Sequence, residues 1–297
     1  MSKKKVAKRI LIIDGQNWAH RAFHAQSGLM FNGKKIGLVY GFINMINSLL
    51  VRFPKPKKIF VTFDHGRNQN RLDILPNYKL RDKKIDFDRE SFEEQIGAIR
   101  KILVYMGIPV LYNKMTEADD YIAQLTFKYR DKYKILIASG DKDFRQLVGP
   151  NVSISDDKHG RITTKNFESI FGIKPEQYAE FLMLWGDTSD NIPGVRGIGE
   201  KTAIKILQEY GNLATYHTKS IDTVKRRESI EIEERNRCLI DLEYFISKYG
   251  EQELVFFKDK KKPKFHEERY LKMCQLYGLK KFRQPEFIQS LKRNIGR

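Results

Sequence analysis

Nine carboxylates carry the chemistry that this sequence could perform: Asp14, Asp64, Glu117, Asp119, Asp120, Asp141, Asp143, Asp187 and Asp190. Three of them close, or nearly close, short apolar runs: Asp14 after ILII, Asp64 after IFVTF and Asp141 after ILIASG. In an open parallel sheet the carboxyl ends of the strands share one edge, and ligands bind there. Acids far apart in the chain can therefore converge. Converging carboxylates repel one another and resist ionisation unless cations neutralise them. Hard oxygen ligands suit magnesium or manganese rather than zinc.

Each local motif also has a plainer reading. In Thr116-Glu117-Ala118-Asp119-Asp120, Thr116 and Asp119 mimic a capping box, and acids in a first turn favour the helix dipole. Capping needs one or two acids, however, and the third adds repulsion. Glu117 and Asp120, three apart, share a helix face. Asp141-Lys142-Asp143 and Asp187/Asp190 in GDTSDN both sit in good turn chemistry. Turns do not account for their combination with Asp14 and Asp64. Gly194-Val-Arg-Gly-Ile-Gly199-Glu-Lys-Thr-Ala203 is not a Walker loop, because Glu200 separates Gly199 from Lys201. It reads as a glycine hairpin that opens a helix and offers backbone N–H groups and Lys201 to a phosphate. A tight helix–helix turn explains the same glycines, and the two readings are compatible.

The elements that must position these acids alternate in type. Ile10–Ile13, Ile59–Phe63, Ile108–Tyr112 and Ile135–Ala138 are expected strands. Leu38–Phe53, Phe92–Met106 and Glu117–Tyr129 are expected helices, the first with Leu38, Phe42, Ile46, Leu49 and Phe53 near one face. Such repetition implies α/β architecture with a mostly parallel sheet covered on both faces. After about residue 165 the strands fade. Glu176–Trp185, Glu200–Tyr210, Val224–Lys248 and Glu267–Leu276 then read as helices. The expected division is an α/β core over 1–165 and a helical part over 166–297. Between Asp64 and Ser91 lies a polar stretch with seven basic residues and few core positions. A weakly apolar insertion of that length after a strand reads as a mobile functional loop. Lys258–Lys264 reads as a solvated loop.

At 297 residues and 41% apolar content the chain can bury a substantial core. Its net charge is +18, with 55 basic and 37 acidic side chains. Setting the nine acids aside leaves 37 less 9, or 28, acidic side chains against 55 basic ones. That surplus attracts phosphate backbones, although a hydrated basic surface explains charge alone equally well. Two cysteines, Cys238 and Cys274, form neither a zinc spacing nor a disulfide framework. Only four apolar residues follow the basic start before Asp14, so no signal-peptide core is expected. No run approaches the length a membrane helix needs. The expectation is a soluble protein of a reducing cytoplasm, or of a host cytoplasm if phage-encoded.

ILIIDGQNWAHRAFHA, VTFDHG, YKLRD, TEADDYIA, ASGDKDFRQL and GDTSDNIPGVRGIGEKTA, in that order over about residues 9–210, resemble the successive signatures of the 5′-nuclease (flap endonuclease) family. That family includes free-standing bacteriophage exonucleases and the 5′-nuclease domain of bacterial DNA polymerase I. The resemblance implies a PIN-like α/β core, a helical arch or clamp at about 65–90, a helix–hairpin–helix-type motif and two divalent ions. Magnesium is expected, with manganese as a substitute. On the family pattern Asp14, Asp64, Glu117, Asp119 and Asp141 match the first-metal group and Asp143, Asp187 and Asp190 the second, with Asp120 sharing the motif. Arg21 and Lys79 match basic residues that approach the scissile phosphate. Gly197 and Gly199 match the hairpin, which in the family can also hold a potassium ion against duplex phosphates.

The arch motif commonly reads Tyr-Lys-x-x-Arg, whereas Tyr78-Lys-Leu-Arg81 is one residue shorter, so Lys83 or Lys84 could replace the usual arginine. Tyr78, Arg81, Lys83, Lys84, Arg196, Lys201 and Lys205, with the hairpin glycines, are the expected DNA contacts. The resemblance thus implies a metal-dependent hydrolase acting in DNA replication as a 5′→3′ exonuclease and flap endonuclease. Its expected form is a monomer, and its substrates are DNA with 5′ ends, flaps or nicks, with RNA–DNA hybrids as a further class. Without polymerase signatures, the lysine-rich chain is more like the phage exonucleases than a polymerase fragment. Two other readings compete. A non-catalytic DNA-binding protein with a vestigial site gains nothing from an acidic pocket facing phosphates. An aspartyl-phosphate phosphatase wants a second acid two residues after Asp14, where this chain has Gln16.

Overall fold

The structure, a computed structural model, describes residues 8–80, 88–114, 116–257 and 264–296. The chain divides into two units, one of residues 1–64, 83–113 and 254–297 and the other of residues 65–82 and 114–253.

In the first unit the ILII run becomes the Arg9–Asp14 strand, buried from Ile10 onward as a strand covered on both faces must be. It runs parallel to Lys58–Thr62, with Ile10 opposite Lys58 and Asp14 opposite Thr62. Lys58–Thr62 pairs in turn, again parallel, with Val110–Leu111. The Gly37–Arg52 helix buries Leu38, Phe42, Ile46 and Leu49 of its expected stripe and packs on the Arg89–Tyr105 helix, which buries Phe92, Ile96, Ile99 and Leu103. Phe53 lies just outside its helix, which stops before Pro54 because a residue preceding proline is driven out of the α region. Gln95 secures this pair: its Oε1 accepts the N–H groups of Leu38 and Val39 at 3.0 and 3.3 Å, two donors that a helix start otherwise leaves unpaired. An unforeseen helix, Gly15–Ala25, follows the first strand directly and is capped by the Asp14 carboxylate, which accepts from the Asn17 N–H at 3.0 Å. A Cβ on Gly15 would lie 2.6 Å from the Thr62 carbonyl oxygen, so only glycine allows so sharp an exit. The last helices, Glu267–Leu276 and Pro285–Ile295, belong to this unit and pack on Arg89–Tyr105 and Gly37–Arg52.

In the second unit Lys134–Ala138 pairs parallel with Val152–Asp156, which pairs antiparallel with Gly160–Ile162. The Ala118–Tyr129 helix and the helices from Tyr178–Trp185 through Leu242–Tyr249 complete it. Three expectations need correction. Strands do not end at residue 165: Gly186–Asp187 and Ile192–Pro193 form a short antiparallel ladder that folds the GDTSDN loop back on itself. The expected Val224–Lys248 helix is two helices, Thr223–Ile240 and Leu242–Tyr249. Asp241 breaks it by leaving the helical region and accepting the Tyr244 N–H at 2.9 Å, the cap that aspartate favours over a helix interior. The stretch after Asp64 is not a loose loop up to residue 80. Asn68 caps a Gln69–Ile74 helix, and Asn68, Arg71 and Tyr78 are buried. Arg81, Lys83 and Lys84, like most of the Lys258–Lys264 tract, lie outside the described residues. Both cysteines are buried and free, and no helix of the described residues is long and apolar enough to cross a membrane.

Candidate metal centre

The second unit gathers its acids by local turn chemistry. Beyond the Lys134–Ala138 strand, Ser139 Oγ accepts the Asp141 N–H at 3.0 Å, and Asp141 Oδ1 accepts the Asp143 N–H at 2.9 Å. That turn opens a short 3-10 helix at Asp143. Asp187 caps a second 3-10 turn, its Oδ1 accepting from the N–H and hydroxyl of Ser189 at 2.9 and 2.6 Å. Asp190 ends that turn. The chain can return past Trp185 because residue 194 is glycine: a Cβ there would lie 2.3 Å from the Trp185 carbonyl carbon.

The outcome is one tight group. Asp143, Asp187 and Asp190 each bring a carboxylate oxygen within 4.8 Å of the others. Burial, then Asp141, Asp187, Asp190 and Asp119 in turn, push the Asp143 carboxyl well above the usual range. Burial raises Asp190 to about 6, with Lys79 opposing and Asp187 and Asp119 adding. Burial and Asp119 raise Asp141. Among the described residues, Asp143 Oδ1 is buried with no hydrogen-bond donor. A buried carboxylate oxygen without a donor is costly, and a divalent cation ligated there would relieve it. The donor set therefore fits a hard cation.

A second group surrounds Lys79. Its Nζ lies 2.7 Å from Glu117 Oε2, 2.9 Å from Asp119 Oδ2 and 3.7 Å from Asp190 Oδ2. Glu117 also accepts from the Asn68 N–H at 2.9 Å and the Tyr78 hydroxyl at 3.0 Å. Burial alone would raise Glu117, but the Lys79 ammonium and the Arg71 guanidinium hold it at about 2. Burial opposes a charged Lys79, yet Asp119 and Glu117 raise it well above the ordinary lysine range. Lys142, between Asp141 and Asp143 in sequence, donates to Asp187 Oδ1 at 2.7 Å.

The other expected residues fall as follows. Asp14 and Asp64 belong to the first unit, at the carboxyl edge of one strand pair: Asp14 stands opposite Thr62, two residues before Asp64. Arg21 lies on the Gly15–Ala25 helix. Asp120 sits with Arg71 rather than with the Asp143 group. Arg71 Nη2 is 2.8 Å from its Oδ1 and Asn68 Nδ2 is 3.1 Å from its Oδ2. Tyr78 is buried on Glu117, not held out for a DNA contact. Gly197 has φ +76°, and Gly199 caps the Glu200–Tyr210 helix. Lys201 and Lys205 stand exposed one helical turn apart. Arg196 is exposed, and its backbone N–H donates to Glu228 at 2.9 Å.

Sequence reading missed Arg71, Lys142 and Asn191. Arg71 looks like any of the basic residues in a polar stretch, yet it is 1% exposed and its guanidinium stacks 3.8 Å from the Phe245 ring. Asn68, just before a helix, did carry a readable N-cap signal.

Two family models match the chain: the 5′-3′ exonuclease N-terminal resolvase-like domain over residues 9–172, and the 5′-3′ exonuclease C-terminal SAM fold over 173–242. The 5′-3′ exonuclease of Aquifex aeolicus is 36% identical over 209 residues, covering 69% of this chain and 71% of that protein. The DNA polymerase I of Mycobacterium tuberculosis is 34% identical over 256 residues, covering 81% of this chain; the chain spans only 28% of that polymerase. Among solved structures, the T5 5′-exonuclease with bound zinc superposes with TM-score 0.69 at 23% identity, over 91% of this chain and all of that one. The catalytic core of Rad2 in complex with DNA substrate gives 0.60 at 15%, over 96% and 93%. At these identities the superpositions establish the fold.

Proposed function

The chain belongs to the 5′-3′ exonuclease family, and from that premise we propose that it is a divalent-metal-dependent 5′→3′ exonuclease and flap endonuclease that hydrolyses DNA phosphodiesters. The observation that carries this reading is the Asp143, Asp187 and Asp190 group, with Asp187 and Asp190 buried and a buried, donorless Asp143 Oδ1. A DNA-binding protein without catalysis gains nothing from such a group.

Asp143, Asp187 and Asp190 would hold one divalent ion. Glu117, Asp119 and Asp141, with Asp14 and Asp64 assigned on their family motifs, would hold a second, directly or through waters. Magnesium is the proposed ion and manganese its substitute. When bound, such ions supply Lewis acidity and charge stabilisation for hydrolysis of the phosphodiester. Asp120 contributes indirectly, by fixing Arg71 beside Glu117.

Lys79 and Arg21 are proposed to set positive charge at the scissile phosphate, where preorganised electrostatics contribute most. With its charge assured by Asp119 and Glu117, Lys79 would exchange part of that carboxylate pairing for a phosphate oxygen as substrate arrives. Residues 194–199, with Arg196, Lys201 and Lys205, would hold the duplex backbone, with potassium as a hairpin ion.

In this reading residues 1–165 are the nuclease core with its clamp at 65–90, and the helical DNA-binding part starts at 166. Proposed substrates extend to RNA–DNA hybrids, and the proposed working form is a cytoplasmic monomer acting in replication. The test is to incubate the protein with an end-labelled 5′-flap duplex, with magnesium or with a chelator. Cleavage only with magnesium is the expected result. Flap binding without cleavage under both conditions would favour the non-catalytic reading.

A further inference from the structure

Lys79 stands in a backbone conformation that it would not choose alone. Its φ is +50°, the left-handed region that L side chains other than Asn and Asp seldom enter. Such a residue persists only where its surroundings impose the conformation. The contacts that impose it come mainly from Asn191, the residue after Asp190. Asn191 Nδ2 donates to the Asn77 carbonyl at 2.9 Å and to the Leu80 carbonyl at 2.7 Å, bracketing Lys79. One amide nitrogen carries two hydrogens, enough for both carbonyls. Because both partners are acceptors, the nitrogen and not the oxygen must face them. Asn191 is itself left-handed, with φ +60°, and asparagine enters that region more readily than most residues. Next to it, the Asp190 carbonyl accepts the Lys79 N–H at 3.0 Å. Arg67 Nη1 donates to the Tyr78 carbonyl at 2.8 Å.

We propose that Asn191 is a positioning residue: it clamps residues 77–80 to the turn that carries Asp190 and so delivers the Lys79 ammonium into the carboxylate group. The proposal rests on the catalytic role of Lys79 given above and adds to it. Asn191 touches neither phosphate nor metal ligand oxygens in this role; it acts through the backbone of the residues flanking Lys79. The turn that supplies the last metal ligand thereby also fixes the position of the phosphate-facing cation.

Asn191→Gly tests this cleanly, because glycine keeps the positive φ and removes only the amide. Asn191→Asp is the companion, close in shape but unable to donate. The first readout is amide hydrogen exchange in the metal-free protein, with the Ile137 amide of the Lys134–Ala138 strand as internal control for folding. In both variants the Lys79 amide is expected to exchange at least about tenfold faster while Ile137 is unchanged. The second readout is cleavage of a 5′-flap duplex in a cycle with Lys79→Ala. Asn191→Gly is expected to lower kcat about tenfold or more with little change in KM. In the Lys79→Ala background the same change should cost less than about twofold, because the two residues act as one unit. Unchanged Lys79 protection, or penalties that multiply in the double variant, would overturn the clamp. Full activity of Lys79→Ala alone would instead remove the catalytic role of Lys79, and the exchange result would still decide the clamp.

Discussion

Asp143 is the residue on which the chemistry turns, because its carboxylate lies among like charges and its buried Oδ1 has no donor among the described residues. Natural proteins accept such local cost where function needs it. Asp190, raised to about 6, makes the cost measurable through pH. A carboxyl whose folded value lies above its unfolded value of about 3.9 binds protons more tightly in the folded state. Its penalty is therefore present above about 6 and relieved as pH falls through that value. Metal-free protein should gain stability from Asp190 on going from pH 7 to pH 5. Thermal melts of wild type and Asp190→Asn at both values check this: the advantage of the asparagine variant should shrink at the lower pH. An advantage that stays constant or grows would show that Asp190 is not a strained carboxylate.

At the scale of elements, Arg71 joins three pieces of the second unit. It lies on the Gln69–Ile74 helix, pairs with Asp120 on the Ala118–Tyr129 helix and stacks on Phe245 of the Leu242–Tyr249 helix. Removing one partner of a fully buried pair leaves the other charge stranded, at a cost of about 3–5 kcal/mol. Arg71→Ala should lose that much in urea unfolding, and a loss under about 1 kcal/mol, the worth of an exposed pair, would show that the contacts carry little stability. The strands were legible because parallel strands buried on both faces leave continuous apolar runs such as ILII and ILIA. The Gly15–Ala25 helix was not, since only Gly15, Trp18, Ala19 and Ala22 are buried and two of these four side chains are alanine. The order of residues 65–80 was hidden for another reason. Its anchors Asn68, Arg71 and Tyr78 are polar or amphipathic groups paired with Glu117 and Asp120, so hydrophobic patterning could not reveal them. Within the candidate site, the acids could be read from their spacing. The Lys79 and Asn191 contacts could not, because they depend on which backbone groups two distant turns present to each other.

Across the whole molecule, 55 basic and 37 acidic side chains give a charge of +18, while the acids that matter most are drawn into one group in the second unit. A protein of this charge that grips duplex phosphates should show strongly salt-dependent affinity. Flap-duplex binding, measured by anisotropy without catalysis, should weaken by about 10²–10³ between 50 and 200 mM salt. A change of less than about threefold would mean that few phosphates are contacted. The most direct test of the account is Asp143→Asn, assayed on a labelled 5′-flap duplex with magnesium. Removing one ligand charge should lower cleavage by at least about a thousandfold while flap affinity changes less than about threefold. Cleavage at the wild-type rate would contradict the assignment of the Asp143, Asp187 and Asp190 group as the catalytic metal centre.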